Sequence, residues 1–144
     1  MSFVPDSFDP PRRLAAVGLE LEPLGPQHNE GDYAAWTSSI GHIRATPGFT
    51  DGNWPRPMTP EENLRDLERH GADFAARRGF TYTVLEDGRI VGCLYIYPAR
   101  EDSAAAQVSS WVTADRAELD GPLRTAVRAW LREAWPFERV DYDG

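Results

Sequence analysis

The stretch "FTYTVLEDGRIVGCLYIYP" (residues 80–98) decides how this chain folds. Two runs rich in Val, Ile, Thr and Tyr meet at Asp87-Gly88. Both central positions of a tight two-residue turn need positive φ, which Asp tolerates and Gly adopts freely, so the pair marks a β-hairpin. Tyr82 lies on the first run. Alternation puts Tyr95 and Tyr97 of the second run on one face of the sheet, where they either line a ligand cleft or pack under a helix.

Upstream, Thr59, Pro60, Glu61 and Glu62 form a capping box with proline at the first helical position. Leu64, Leu67 and Phe74 mark the buried face of that helix, Arg77 and Arg78 suit its C-terminal end, and Gly79 stops it. Residues 46–58, "TPGFTDGNWPRPM", are rich in Gly and Pro and read as a loop. Before them Tyr33, Trp36, Ile40 and Ile43 share one face of a helix over residues 30–45. Val17, Leu19 and Leu21 alternate in a half-buried strand over 17–25, and residues 1–16 read as a loosely held Pro-rich arm. Downstream, a strand over 104–113 leads into a helix over 117–134 that buries Leu119, Leu123, Val127, Trp130 and Leu131. "FERVDYDG" (137–144) closes the chain as a short strand. The pattern is one α+β domain over residues 17–144 behind an arm of residues 1–16.

Composition narrows the function. The formal net charge of -8 argues against a nucleic-acid backbone or an anionic membrane as the main partner. All 15 basic residues are arginine, which excludes a lysine Schiff base and a Walker A phosphate loop. Cys93 is the only cysteine, so there is no disulfide framework and no cysteine cluster for zinc. His28, His42 and His70 lack metal-ligand spacing, so no metal site is expected. "MSFVPDSFDPPRR" (1–13) lacks the apolar core of a signal peptide, and a cytoplasmic protein is the expectation.

The order strand, helix, helix, hairpin, strand, helix, strand resembles the front portion of the GNAT acyltransferase superfamily over residues 17–142. Its best local match is the hairpin, with Gly92 following the apolar pair Ile90-Val91. The resemblance implies a GNAT-like, mostly antiparallel central sheet flanked by helices, and acetyl-coenzyme A as co-substrate. Backbone groups near Trp111, Val112 and Thr113 would then face the thioester, while Arg116 and Gly121 would belong to the phosphate loop. The family loop reads Gln or Arg, two residues, Gly, one residue, then Gly or Ala. Here Arg116-Ala117-Glu118-Leu119-Asp120-Gly121 is a degenerate version, with Leu119 at the first glycine. A left-handed backbone at Leu119 would cost about 1–2 kcal/mol. Asp115, Glu118 and Asp120 would repel a phosphate against the single charge of Arg116. The loop is therefore either a weakened phosphate site or a solvated helix start.

In the family the connection between the first two helices borders the acceptor site. That implies a substrate-binding role for His42, Arg44 and Trp54, joined by Tyr82 and Tyr95 from the hairpin; equally, Trp54 and Phe49 could only cap the core. Glu30 and Asp32 near His28 form either an acid/base group or a helix cap, and no catalytic base is identified. The leading function is an N-acyltransferase moving acetyl from acetyl-coenzyme A to a small-molecule or peptide amine. The alternative is a non-catalytic ligand or protein-interaction module on the same fold. Compared with the family the chain is shortened at its C-terminus, and the sheet edge left at "FERVDYD" predicts a homodimer that covers it or the apolar surface around Trp130 and Trp135.

Overall fold

Asp87 and Gly88 both take positive φ, 50° and 80°, and turn strand β3 (Phe80–Glu86) into β4 (Arg89–Ala99). Around this hairpin the computed structural model describes residues 3–143; Gly144, the last residue of the expected closing strand, and Met1 and Ser2 of the arm lie outside them. The remaining strands are β1 (Leu14–Ala16), β2 (Leu19–Pro23), β5 (Asp102–Val112) and β6 (Arg139–Tyr142). The helices are α1 (Asn29–Thr37), α2 (Ile40–Arg44), α3 (Pro60–Ala75) and α4 (Asp120–Ala134). One sheet holds all six strands in chain order, antiparallel from β1 to β5, with β6 parallel to β5. A parallel neighbour needs a crossover, and α4 supplies it.

Strand alternation divides the core. Leu94, Ile96, Val108 and Val112 face α4 and pack with Leu123, Val127, Trp130 and Leu131. Cys93 and Trp111 face the other way and pack with Trp36, Ile43 and Leu67 beneath α1–α3. Helix α3 begins as its cap dictates: the Glu62 amide donates to Thr59 Oγ1 at 3.1 Å and the Thr59 amide to Glu62 Oε1 at 2.9 Å. Of its three expected apolar contacts, Leu67 and Phe74 are buried and Leu64 is half-buried.

Several expectations change. Val17 is not in a strand: with φ of 50° it forms a turn with Gly18 and stands 56% exposed, and β1 precedes it. Alternation alone carried the strand two residues too far at its start. The arm is packed rather than loose. Phe3 and Val4 are buried, and Arg77 Nη2 donates to the Pro5 and Phe8 carbonyls, each at 2.7 Å. The helix expected over 30–45 breaks at Ser38-Ser39, where the Ser39 hydroxyl accepts the Ala114 amide at 2.8 Å. Trp130 and Trp135 are buried against Tyr82 and offer no apolar surface to a partner. Among the described residues no helix is long and apolar enough to cross a membrane.

Candidate functional site

Asn63, Asp66, His70 and Asp73 recur at three- and four-residue spacing on α3, beside the apolar stripe of Leu67 and Phe74. Asn63, Asp66 and His70 of this stripe, with Arg69, form one wall of a cleft of about 350 Å³. Tyr95 and Ser109 from the sheet form its floor, and Phe49 and Trp54 from the 46–58 loop form the other wall. The loop is held in place from both ends. Arg44 Nε and Nη2 grip the Pro55 carbonyl at 2.9 and 2.6 Å, and the Tyr33 hydroxyl donates to the Met58 carbonyl at 2.6 Å. Trp54 packs at tilted angles against Trp36, Phe49 and Trp111 at centroid distances of 5.5, 6.0 and 6.1 Å. Gly48 (φ 98°) approaches β5 so closely that a Cβ there would sit 2.9 Å from Asp143 Oδ2 and 3.1 Å from Ser109 Cβ.

Two titratable groups at this cleft are displaced by burial. His70 is lowered to about 4, by desolvation first and by the Arg69 charge second. Its Nδ1 lies 2.9 Å from the Tyr97 hydroxyl and 3.0 Å from Thr81 Oγ1, and Tyr97 donates to Asp73 Oδ2 at 2.9 Å. Behind the cleft, burial raises Asp32 to about 6, against the lowering effect of its hydrogen bond with Asn63. Asn63 Nδ2 donates to Asp32 at 3.1 Å and its Oδ1 accepts from Trp36 Nε1 at 3.0 Å. His28 is not part of an acid/base group with Glu30 and Asp32. It accepts the Gly25 amide at Nδ1 (3.0 Å) and contacts Glu22 through Nε2 (2.8 Å).

At the far end of the cleft the sheet opens. Strand β6 pairs with residues 105–108 of β5 only. The Thr113 amide donates to the Val91 carbonyl of β4, and alternation turns the Trp111 amide the same way. The amides of Ser110 and Val112 therefore point to the side where β6 has ended. Of Trp111, Val112 and Thr113, only Val112 turns its amide away from β4. The Trp111 and Thr113 amides face β4, and the Trp111 indole donates to the Tyr95 hydroxyl at 3.0 Å.

The loop before α4 also differs from expectation. Leu119 is helical (φ -79°, ψ -15°) and buried in the core under α4, so no left-handed strain exists and its side chain does not obstruct the loop. The three acids do not face one arginine. Asp115 pairs with Arg89, Glu118 with Arg116, and Asp120 with Arg124. Arg116 is itself occupied, gripping Glu86 through Nε and Nη2 at 2.8 and 2.6 Å. Gly121 lies in the first turn of α4 with open space around it.

The structure thus brings together Trp54 and Tyr95 from the expected substrate set. Arg44 works from behind the loop, and His42 is half-buried on α2 without a side-chain hydrogen bond among the described residues. Tyr82 is excluded: it is fully buried on the α4 face, its hydroxyl bonded to the Pro11 carbonyl at 2.5 Å, and desolvation pushes its pKa up. Sequence reading missed His70, Asp66 and Ser109. The three- and four-residue polar spacing on α3 was the available signal for the first two.

A six-stranded, mostly antiparallel sheet with a parallel last strand, crossed by α4 and covered by α1–α3, is the GNAT acetyltransferase fold. The ribosomal-protein-S5-alanine acetyltransferase from Vibrio fischeri superposes with a TM-score of 0.65 at 14% identity, over 85% of this chain and 68% of that one. An acetyltransferase from Salmonella typhimurium that modifies the N-terminal serine of ribosomal protein L7/L12 gives 0.68 at 12% identity, over 87% and 70%. The microcin C7 self-immunity acetyltransferase MccE, in complex with acetyl-CoA and AMP, gives 0.61 at 13% identity, over 81% and 62%. No family sequence model matches the chain, and neither does any curated protein.

Proposed function

We propose that this protein is an N-acyltransferase that moves an acetyl group from acetyl-coenzyme A to an amine bound in the aromatic cleft. One observation carries the reading: Ser109 is at once a wall of the cleft and the first β5 residue beyond the pairing with β6. An amine on the cleft floor therefore lies beside the open edge of β5. There the Ser110 and Val112 amides are placed to polarise a thioester carbonyl, the kind of preorganised donor that stabilises a developing oxyanion. The phosphate end of the coenzyme fits less closely. The N-terminus of α4 and the open space at Gly121 accept an anion, and pairing of the three acids removes most of their repulsion, but Arg116 is committed to Glu86 and Glu118. Binding is expected to be weak, and the commitment of Arg116 is the observation that favours the alternative of a non-catalytic ligand module.

Calorimetry with acetyl-coenzyme A, followed by thiol release with a panel of small amines and peptides bearing free N-termini, tests the reading. Saturable binding and amine-dependent thiol release are expected. No binding at millimolar coenzyme would leave the non-catalytic module. A buried Cys93 and no disulfide suit a cytoplasmic setting for this chemistry. The same reading includes a homodimer through the β6 edge. A groove beside it, lined by Arg128, Leu131, Arg132, Phe137, Glu138 and Val140, offers two cations against one acid, with apolar surface, to an acidic second copy.

A further inference from the structure

Resting on the acyl-transfer reading, we propose that His70 Nε2 takes the proton from the attacking amine, and that Tyr97, Thr81 and Asp73 position the ring for it. Tyr97 gives its hydroxyl proton to Asp73, so its oxygen has only lone pairs left for His70. The tautomer that suits this oxygen puts the ring proton on His70 Nδ1, 2.9 Å away, with Thr81 Oγ1 at 3.0 Å as a second acceptor. In a neutral imidazole the other nitrogen, Nε2, is then the acceptor. Nε2 has no hydrogen-bond partner among the described residues, and it is absent from the sealed, unpartnered polar atoms. As His70 walls the cleft, with its ring 5.8 Å from that of Tyr95, this free lone pair opens onto the space the amine would fill.

The charges around the ring keep it neutral. Burial and Arg69 oppose protonation and outweigh Asp66 and Asp73, holding His70 near 4. The tyrosines of β4 stay uncharged as well, Tyr97 being pushed up to about 12 and Tyr95 raised by burial. A base this weak does not deprotonate an ammonium ion in the ground state. It suits the later moment when the amine nitrogen has bonded to the carbonyl carbon and its N–H has become strongly acidic. In that step the amine lone pair forms the N–C bond, the C–S bond breaks, and the sulfur leaves with its electron pair. The N–H proton moves to Nε2 and from there to the thiolate, so amine and thioester become amide and thiol. Asp32 is no rival, being sealed behind Asn63.

The test combines spectroscopy and kinetics. Nitrogen-15 spectra of the wild type, with His70 assigned by the His70→Gln variant, are expected to show the Nδ1–H tautomer and an Nε2 resonance that moves when phenethylamine is added. His70→Gln should lower kcat about 100-fold, within the usual range for loss of a general base, with the dissociation constant for acetyl-coenzyme A unchanged. Tyr97→Phe frees Nδ1 from its acceptor and should lower kcat less while changing the tautomer ratio. An Nε2–H tautomer in the wild type, or an undiminished kcat in His70→Gln, overturns the proposal and leaves acyl transfer standing. If the wild type binds no acetyl-coenzyme A, the acyl-transfer reading itself fails and takes the role of His70 with it.

Discussion

Asp32 and His70 titrate in the same pH range with opposite effects on stability. Asp32, raised from 3.8 to about 6, holds more protons folded than unfolded in that window, so stability falls as pH rises through it. His70, lowered from 6.5 to about 4, holds fewer, so stability rises with pH over its window. Each displacement corresponds to about 3 kcal/mol at 1.36 kcal/mol per unit, so the two nearly cancel. Urea unfolding of the wild type should therefore be nearly flat between pH 4 and 6. Asp32→Asn should expose a slope that rises with pH, and His70→Gln one that falls; identical slopes in all three proteins would refute the assignment. Trp54 poses a separate question, whether it is a site wall or a lid on the core. It is half-buried, so Trp54→Ala should cost less than the 3–5 kcal/mol or so typical of a buried aromatic, while abolishing the phenethylamine response. A full core-sized loss in chemical denaturation would make Trp54 a lid.

At the level of elements, the α3 cap and the hairpin were legible because each is set by residues no more than three apart. Thr59 with Glu62 and Asp87 with Gly88 need no other part of the chain. The loop before α4 was misread because its partners are remote. Glu86 reaches Arg116 across 30 positions and Arg89 reaches Asp115 across 26, so a count of nearby charges gave the wrong balance. A change follows that local sequence would not suggest. Glu86→Gln with Glu118→Gln releases Arg116 toward a phosphate, and calorimetry should show acetyl-coenzyme A binding tighter by about threefold or more, since charge-assisted contacts exceed neutral ones. Unchanged affinity would mean that the phosphates lie elsewhere. His70 escaped notice for a related reason. Its spacing with Asn63, Asp66 and Asp73 was visible on α3, but only the fold sets Tyr97 and Thr81 beneath it.

For the molecule as a whole, assembly through the β6 edge predicts a dimer at tens of micromolar by light scattering, on the order of what a standard interface sustains. Val140→Pro, within β6, should give a monomer; a monomeric wild type would remove the dimer from the reading. By itself the sequence missed β1 and the break between α1 and α2, but it determined the order of the main elements from β2 onward, the α+β class, the hairpin at the centre and the exclusion of lysine chemistry. These follow from period, capping and turn residues, which act over a few positions. Tertiary structure alone decided that Tyr82 is core while Tyr95 floors a cleft, that β6 stops pairing at Val108, and that Asp115 pairs with Arg89 and Arg116 with Glu86. Those outcomes depend on which face of a curled sheet each residue meets, and on contacts between residues far apart in the chain, whose selection is made only when the whole core closes.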